Sequence, residues 1–215
     1  MSARENILGR IRAAQGKAAT ASPQDRAAVA SHIGARALSP RPSLDWDPAV
    51  RFRERVLALS STYEEAGAIE DAPRAVADYL RGNALPLTAV CWSELSGLPW
   101  QEAGLAVEAR AACGDDLVGI TGAYCAIAET GTLMLLSGPR TPAAASLLPE
   151  THIALVRANR IVRTMEDAWA LMRSEHGMPP RAVNFVSGPS RTADIEQTLT
   201  LGAHGPYRVH IIAIS

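Results

Sequence analysis

The clearest pattern in the sequence is a pair of short apolar runs, residues 123–128 and 132–136, separated by Glu129, Thr130 and Gly131. Two apolar runs joined by a polar step that contains glycine are typical of a β-hairpin. Because neither run alternates with polar residues, both strands are predicted to be covered on both faces. We therefore expect the hairpin to lie inside the sheet, with a carboxylate at its turn.

Helical spacing of apolar residues and capping signals predict helices on both sides of this hairpin. Ser2 followed by Glu5 is a capping-box pattern and predicts a short N-terminal helix. Further helices are predicted over residues 49–66, 71–82, 142–148, 164–177 and 190–201, with a shorter one inside residues 98–112. Residues 16–48 are rich in Ala, Ser, Pro and Arg, which predicts a mobile or extended connector.

Apolar runs between these helices predict strands. They cover residues 87–92, 105–108, 152–156, 182–186 and 208–214, in addition to the hairpin. Strands that alternate with helices favour a doubly wound, largely parallel α/β sheet with the hairpin inserted. We expect a helix and connector over residues 1–48 and one α/β domain over residues 49–215. The N-terminal helix could also pack on another subunit, which would make the protein a homo-oligomer.

Composition changes this picture little. The chain has 215 residues, 47% of them hydrophobic and 20% charged, with a formal net charge of −1. This balance gives no reason to expect a nucleic-acid partner. The first 15 residues lack the apolar core of a secretory signal, and no window approaches the roughly 20 apolar residues of a membrane span. A cytoplasmic protein without a membrane span is therefore expected.

The cysteines do not form a recognisable metal motif. Cys91, Cys113 and Cys125 are widely spaced and contain no C-x-x-C pair. This spacing argues against a disulfide framework and against a self-contained zinc or iron–sulfur site. The histidines also lack companions at ligand spacing, so no metal site is predicted in this chain.

Glu129 is the first functional candidate. Burying a carboxylate is costly unless it is paired or hydrogen-bonded, so Glu129 is either satisfied by its neighbours or lines a cleft. A carboxylate in that position would act as a general base or as a hydrogen-bonding anchor for a ligand.

A second candidate begins at Ser187, where a predicted strand ends and a predicted helix starts. Free N–H groups at a helix N-terminus, with nearby hydroxyls and the Arg191 guanidinium, would bind a carboxylate or phosphate. The stretch is neither a P-loop nor a dinucleotide fingerprint. The alternative is structural: Ser190 only caps the helix, and Arg191 pairs with Asp194 or Glu196.

Two long motifs, AIAETGTLMLLSGP and NFVSGPSRTADIEQTLTLGAHGP, resemble the lactate utilization protein C family, the LutC/YkgG group that shares the LUD domain. The resemblance runs from the first helix to the last strand. It implies an α/β fold of the NagB/RpiA/CoA-transferase type. It also implies a part in oxidising L-lactate to pyruvate beside two partner proteins that carry iron–sulfur clusters, with no cofactor bound by this chain.

The resemblance also transfers a set of polar positions. The catalytic candidates are Glu129 and His204, although a lone loop histidine is as often structural. The substrate-binding candidates are Thr130, Gly131, Thr132, Ser187, Gly188, Ser190, Arg191, Thr192 and Asp194, and the motif continues through Gly202 and Gly205. Many relatives have an acidic residue where this chain has Tyr124, and Cys125 stands beside it where an aromatic or apolar residue is common.

Three functional hypotheses remain from the sequence. The first is a subunit of a lactate-oxidising system that binds an anionic small molecule. The second is a free-standing enzyme of the sugar-phosphate isomerase or CoA-transferase kind that uses Glu129 with Arg191. The third, a ligand-responsive regulator, has the least support. Arg157, Arg160 and Arg163 are predicted to form a solvated basic edge, or to guide an acidic partner. Whether the isolated chain is an enzyme stays open.

Overall fold

The computed structural model describes residues 2–18, 20–37, 40, 42–192 and 200–215, and it divides into two units, Met1–Ser43 and Leu44–Ser215. The first unit contains α1 (Ala3–Ala14) and α2 (Pro23–Ala35), and neither helix has a buried residue. The predicted capping box of Ser2 and Glu5 begins α1. The connector prediction is wrong over α2, which has a capping box of its own from Ser22 and Asp25.

The second unit is an α/β domain with twelve strands among its described residues. They are β1 (Thr62–Ala66), β2 (Thr88–Cys91), β3 (Ala106–Ala109), β4 (Val118–Gly122), β5 (Cys125–Ile127), β6 (Thr132–Leu136), β7 (Thr151–Arg157), β8 (Ile161–Val162), β9 (Val183–Val186), β10 (Arg191–Thr192), β11 (Thr200–Leu201) and β12 (Arg208–Ile214). The helices of this unit are α3 (Pro48–Ala58), α4 (Ala72–Gly82), α5 (Ala144–Leu147) and α6 (Met165–His176).

The main sheet has six parallel strands in the order β1-β12-β7-β4-β2-β3. The predicted α/β class with a largely parallel sheet is confirmed. The hairpin is also confirmed as the antiparallel pair of β5 and β6. It does not enter the main sheet, however, because it forms the middle of a second sheet in the order β8-β5-β6-β9.

The two sheets and the helices form successive layers. On one face of the main sheet, Val76 and Leu80 of α4 pack with Ile120 and Ile153. The other face is covered by α3, α5 and the second sheet, with Phe52 of α3 completely buried. The opposite face of the second sheet packs against α6 through apolar side chains on both elements. Both hairpin strands are therefore covered on two faces, as their unbroken apolar runs predict.

Three predicted helices differ from the structure. The helix predicted over residues 49–66 ends at Ala58, because Ser60 adopts a left-handed φ of 66° and the chain continues into β1. Residues 98–104 form turns and no helix. Of the helix predicted over residues 190–201, Arg191 and Thr192 instead pair with Thr200 and Leu201 as antiparallel β10 and β11. Residues 193–199 of that prediction lie outside the described part of the chain.

The N-terminal cap of α6 offers a test of local stability. The Thr164 hydroxyl accepts a hydrogen bond from the Asp167 N–H at 3.2 Å, and Thr164 is 1% exposed. Replacing it with alanine leaves that N–H without its partner, so we expect Thr164→Ala to lower the free energy of unfolding by about 1 kcal/mol in urea titrations. Thr164→Ser keeps the hydroxyl and should lose less than half as much. Equal losses in the two variants would contradict the capping role.

Candidate functional site

The hairpin turn lies against α3. Gly131 adopts a left-handed φ of 67°, and a Cβ there would lie 2.8 Å from the Arg55 Cβ and 2.9 Å from the Val56 nitrogen. Only glycine fits such a close approach to a helix backbone. The Glu129 N–H donates to the carbonyl of Arg163 at 3.0 Å, which anchors the turn on its other side.

Side-chain hydroxyls join this turn to the second sequence motif. The hydroxyl oxygens of Thr130 and Thr132 are 2.7 Å apart, and that of Thr132 is 2.6 Å from the Ser187 hydroxyl. Thr132 is 2% exposed, so this chain of hydroxyls reaches into the interior. The structure therefore brings together two motifs that lie about 55 residues apart in the sequence.

Gly188 and Arg191 both contact the end of α3. A Cβ on Gly188, whose φ is 80°, would lie 2.7 Å from the carbonyl oxygen of Leu59. The Arg191 guanidinium donates to the same oxygen at 2.7 Å. Cations near the last carbonyls of a helix stabilise it, which gives Arg191 a structural role. We call Thr130, Gly131, Thr132, Ser187, Gly188 and Arg191 the α3-facing cluster.

The other predicted site residues lie elsewhere or outside the described chain. The Ser190 N–H donates to Pro206, and the Ser190 hydroxyl accepts from the His204 N–H at 3.4 Å. His204 is exposed and lines a cleft of about 720 Å³ at the amino edge of the main sheet. Thr192 is buried, and Asp194 lies outside the described residues. Ser190–Thr192 are not helical, so these residues do not offer an anion the N-terminus of a helix. The binding and catalytic roles stay predictions.

A different cleft, of about 920 Å³, lies at the carboxyl edge of the main sheet. Ligands of open α/β sheets bind at this edge. Its lining residues follow or end four neighbouring parallel strands, and they include Trp92, Glu94, Gly122, Leu155, Arg157 and Ile214. Glu129 and Arg191 do not line it.

Glu94 projects over the end of β4. A Cβ on Gly122 would lie 2.9 Å from the Glu94 Oε1, so the glycine leaves space for this carboxylate. Trp92 lies beside it, 3% exposed, with its indole N–H donating to the Pro142 carbonyl at 3.0 Å. Desolvation in the cleft raises the pKa of the Glu94 carboxyl. A carboxylate with a raised pKa in a cleft is a candidate for binding or proton transfer.

Tyr124, Arg160 and Glu175 form one network at the rim of the cleft. Arg160 binds both Glu175 oxygens, at 2.6 and 2.9 Å, and the Tyr124 hydroxyl donates to Glu175 at 2.6 Å. The hydrogen bonds from Arg160 and Tyr124 lower the pKa of Glu175 to about 2, and desolvation raises that of Tyr124 to about 12. Tyr124 therefore contacts an acidic residue supplied by α6.

The three arginines predicted to form one basic edge lie in different surroundings. Arg160 is held by Glu175, and Arg163 donates to the carbonyls of Leu44 and Trp46 at 2.8 and 2.7 Å. Arg157 is exposed and lines the 920 Å³ cleft. Its guanidinium makes no hydrogen bond or ion pair with any other residue that the structure describes. Arg157 is thus the arginine of this group that faces the cleft without a protein partner.

Residues 51–214 match the sequence profile of the LUD domain, which is three quarters of the chain. The chain belongs to the LUD domain family. The resemblance drawn from the two long motifs is confirmed, since several relatives carry the name lactate utilization protein C.

Individual relatives of this LUD domain match over part of their length. An uncharacterized protein of Neisseria meningitidis is 45% identical over 97 residues, which is 45% of this chain and 41% of that protein. Lactate utilization protein C of Bacillus licheniformis is 36% identical over 135 residues, 56% of each chain. That of Bacillus subtilis is 40% identical over 101 residues, 46% of this chain and 42% of the relative. The chain therefore spans about half the length of the curated relatives it matches.

A solved structure shares the fold. The crystal structure of a DUF162 family protein from Deinococcus radiodurans superposes with a TM-score of 0.59 and 27% identity. The match covers 81% of this chain and all of that one. It supports the arrangement of a largely parallel sheet.

Neither metal ligands nor membrane helices stand out in the described parts of this LUD domain. Across those ranges, no group of three or more His, Cys, Asp or Glu side chains could hold a metal ion. None of the described helices has the length and apolar run needed to cross a bilayer. Burial raises the pKa of the Cys91 thiol to about 11 and that of Cys125 to about 12. Such thiols resist forming the thiolates that metals bind.

Sequence analysis missed Glu94 as a site residue and placed Arg157 only in a basic edge. A usable signal was present: both residues follow the core of a predicted strand, and the carboxyl ends of parallel strands meet at one edge. That rule was applied only to the strand before Ser187, which belongs to the second sheet and runs antiparallel to β6.

Proposed function

We propose that this LUD domain binds a small carboxylate, L-lactate or pyruvate, in the cleft at the carboxyl edge, as a subunit of a lactate-utilising system. The relatives named lactate utilization protein C support this choice of substrate. The structural observation that carries the binding site is Arg157, a guanidinium without a described protein partner in a cleft at the ligand-binding edge of the sheet. A guanidinium binds a carboxylate through two parallel hydrogen bonds.

The walls of the cleft favour this interaction. Leu95, Leu155 and Ile214 line it and are each less than 10% exposed, so part of the wall is apolar core. Removing water on one side lowers the local dielectric constant and strengthens attraction between opposite charges. The apolar wall therefore shields one side of a carboxylate bound at Arg157 from water.

The cleft is larger than a three-carbon acid requires. A volume of about 920 Å³ is close to the upper end of ordinary ligand pockets, which hold drug-sized molecules. A bound lactate would leave room for a group contributed by a partner protein. We further propose that iron–sulfur proteins accept the electrons and that this chain binds no cofactor. The raised pKa values of the buried Cys91 and Cys125 thiols make them poor ligands for an iron–sulfur cluster.

A free-standing isomerase or CoA-transferase built on Glu129 has less support. Glu129 does not line this cleft, and Arg191, its proposed anion-binding companion, is hydrogen-bonded to Leu59. We therefore propose no second function.

Thermal unfolding with ligands tests the proposal and separates the two anion sites. At 100 times its dissociation constant, a ligand should add about 2.7 kcal/mol to the free energy of unfolding. We expect L-lactate or pyruvate to raise the melting temperature, and a sugar phosphate or a coenzyme A thioester to have less effect. Arg157→Ala should abolish the shift, because it removes the carboxylate's partner.

Two further variants serve as controls. Arg191→Ala and Arg74→Ala should keep the ligand shift, since Arg191 lies in the α3-facing cluster and the Arg74 side chain on α4 is 88% exposed. Loss of the shift in Arg191→Ala alone would move the anion site to the α3-facing cluster. If neither lactate nor pyruvate stabilises the wild-type chain, the carboxylate site is wrong.

A further inference from the structure

Two side chains of opposite charge, Glu94 and Arg157, line the same cleft. Glu94 and Arg157 each make no hydrogen bond or ion pair with another described residue, and no ion pair joins them to each other. Desolvation raises the pKa of the Glu94 carboxyl, and the positive charge of Arg140 acts against this shift. An unpaired, partly desolvated carboxylate is stabilised by any hydrogen-bond donor that reaches it. A ligand that presents an anion at one point and a donor at another would satisfy both groups.

The backbone that carries Glu94 is fixed by hydrogen bonds, while its side chain is exposed to the cleft. Glu94 lies in a turn of 3-10 helix, Ser93–Leu95, that follows β2. The Ser93 N–H donates to the Arg140 carbonyl at 3.2 Å, and the Leu95 N–H donates to the Trp92 carbonyl at 2.9 Å. Gly122 leaves the space into which the carboxylate projects. An ordered backbone at this position reduces the entropy lost when a ligand binds.

Resting on the function proposed above, we infer that Glu94 selects acids with a hydrogen-bond donor on C2 over 2-oxo acids. Repulsion keeps the ligand's own carboxylate away from Glu94 and directs it to Arg157. The C2 substituent then faces Glu94. An ionised carboxylate only accepts hydrogen bonds, so a hydroxyl or ammonium group can donate to it, whereas a keto oxygen cannot. The site thus takes a 2-hydroxy acid and releases the 2-oxo acid.

Three ligands with one carbon skeleton test this selectivity. L-lactate, pyruvate and L-alanine differ only in the C2 group, and their dissociation constants can be measured by isothermal titration calorimetry. Hydrogen bonds to charged groups are among the stronger ones, so we expect wild-type protein to bind L-lactate at least about tenfold more tightly than pyruvate. L-alanine should also bind more tightly than pyruvate.

Two variants change the carboxylate in different ways. Glu94→Gln keeps the shape but supplies a donor as well as an acceptor, so the lactate-to-pyruvate affinity ratio should fall to within about threefold. Gly122→Ala leaves the charge intact but places a Cβ 2.9 Å from the position of Oε1, so the carboxylate must shift and the ratio should fall as well. Glu102→Gln, at an exposed position that does not line the cleft, should keep the wild-type ratio.

The outcomes separate this inference from the proposed function. If the wild-type protein binds none of the three acids, the carboxylate site itself is wrong and the selectivity falls with it. If it binds L-lactate and pyruvate equally, or if Glu94→Gln keeps the wild-type ratio, the selectivity is overturned while the carboxylate site stands. A reduced ratio in both Glu94→Gln and Gly122→Ala, with Glu102→Gln unchanged, is the expected result.

Discussion

Replacing Gly119 with alanine should lower the free energy of unfolding by about 3 kcal/mol or more, the largest loss we expect from a single methyl group in this chain. Gly119 lies in β4, where α5 crosses the main sheet. A Cβ at this position would overlap the carbonyl oxygen of Ala145 and lie 2.9 Å from the Pro149 Cγ. Ala145 is completely buried, so its backbone can move only if α5 moves with it.

Urea unfolding of Gly119→Ala beside Gly82→Ala measures this effect. Gly82 ends α4 and has no atom within 4 Å of an added Cβ. Alanine there should leave stability unchanged or raise it by about 0.5 kcal/mol, since alanine favours helix more than glycine does. A loss in Gly119→Ala no greater than in the control would mean that α5 does not lie against β4 as described.

Lowering the pH from 7 to 5 should cost about 2 kcal/mol of stability through His152 alone. His152 is 0% exposed, and burial lowers its pKa from 6.5 to about 4. The unfolded chain therefore takes up a proton near pH 6.5, while the folded protein remains neutral at this position until about pH 4. Stability is lost as the pH falls through this window. His210, whose pKa burial also lowers to about 4, contributes in the same direction.

Comparing the pH dependence of variants isolates the contribution of His152. His152→Gln removes the titrating ring but keeps a polar group that can reach the Thr121 hydroxyl, which lies 2.8 Å from the His152 Nε2. This variant should lose about 2 kcal/mol less than the wild-type protein between pH 7 and 5. His32→Gln, at an exposed position, should show the wild-type dependence. An unchanged slope in His152→Gln would mean that the ring is not buried in its neutral form.

Capping and turn residues in the sequence correctly predicted the elements whose ends they mark. Asp71, Pro73 and Gly82 bracket α4, and the glycine-containing turn at Gly131 defines the hairpin. Errors arose where distant pairing decides the conformation. Tyr63 continues the helical spacing of α3, yet it lies in β1 because that strand pairs with β12, almost 150 residues further along the chain. Propensity along a short window contains no information about such a partner.

The candidate site was likewise predictable where local motifs mark it, and not where distant segments assemble it. Sequence motifs brought Thr132 and Ser187 to attention, and the structure places their hydroxyls in contact. The cleft with Glu94 and Arg157 is built from segments that are separate in sequence. Whether the end of a strand lies at this cleft depends on which sheet that strand joins. The α2 helix was missed for a different reason: its capping signals at Ser22 and Asp25 were present, but the surrounding composition outweighed them.

The position of β12 between β1 and β7 has a consequence for protein synthesis. In the described sheet, β1 has β12 as its one neighbour, so its backbone groups on that side find no strand until residues 208–214 leave the ribosome. At 5–20 residues per second, roughly ten seconds pass between the appearance of the two strands. During that interval the nascent chain exposes an unpaired edge, and a premature stop before residue 208 would make the exposure permanent. Truncated products should therefore be found in aggregates or bound to chaperones.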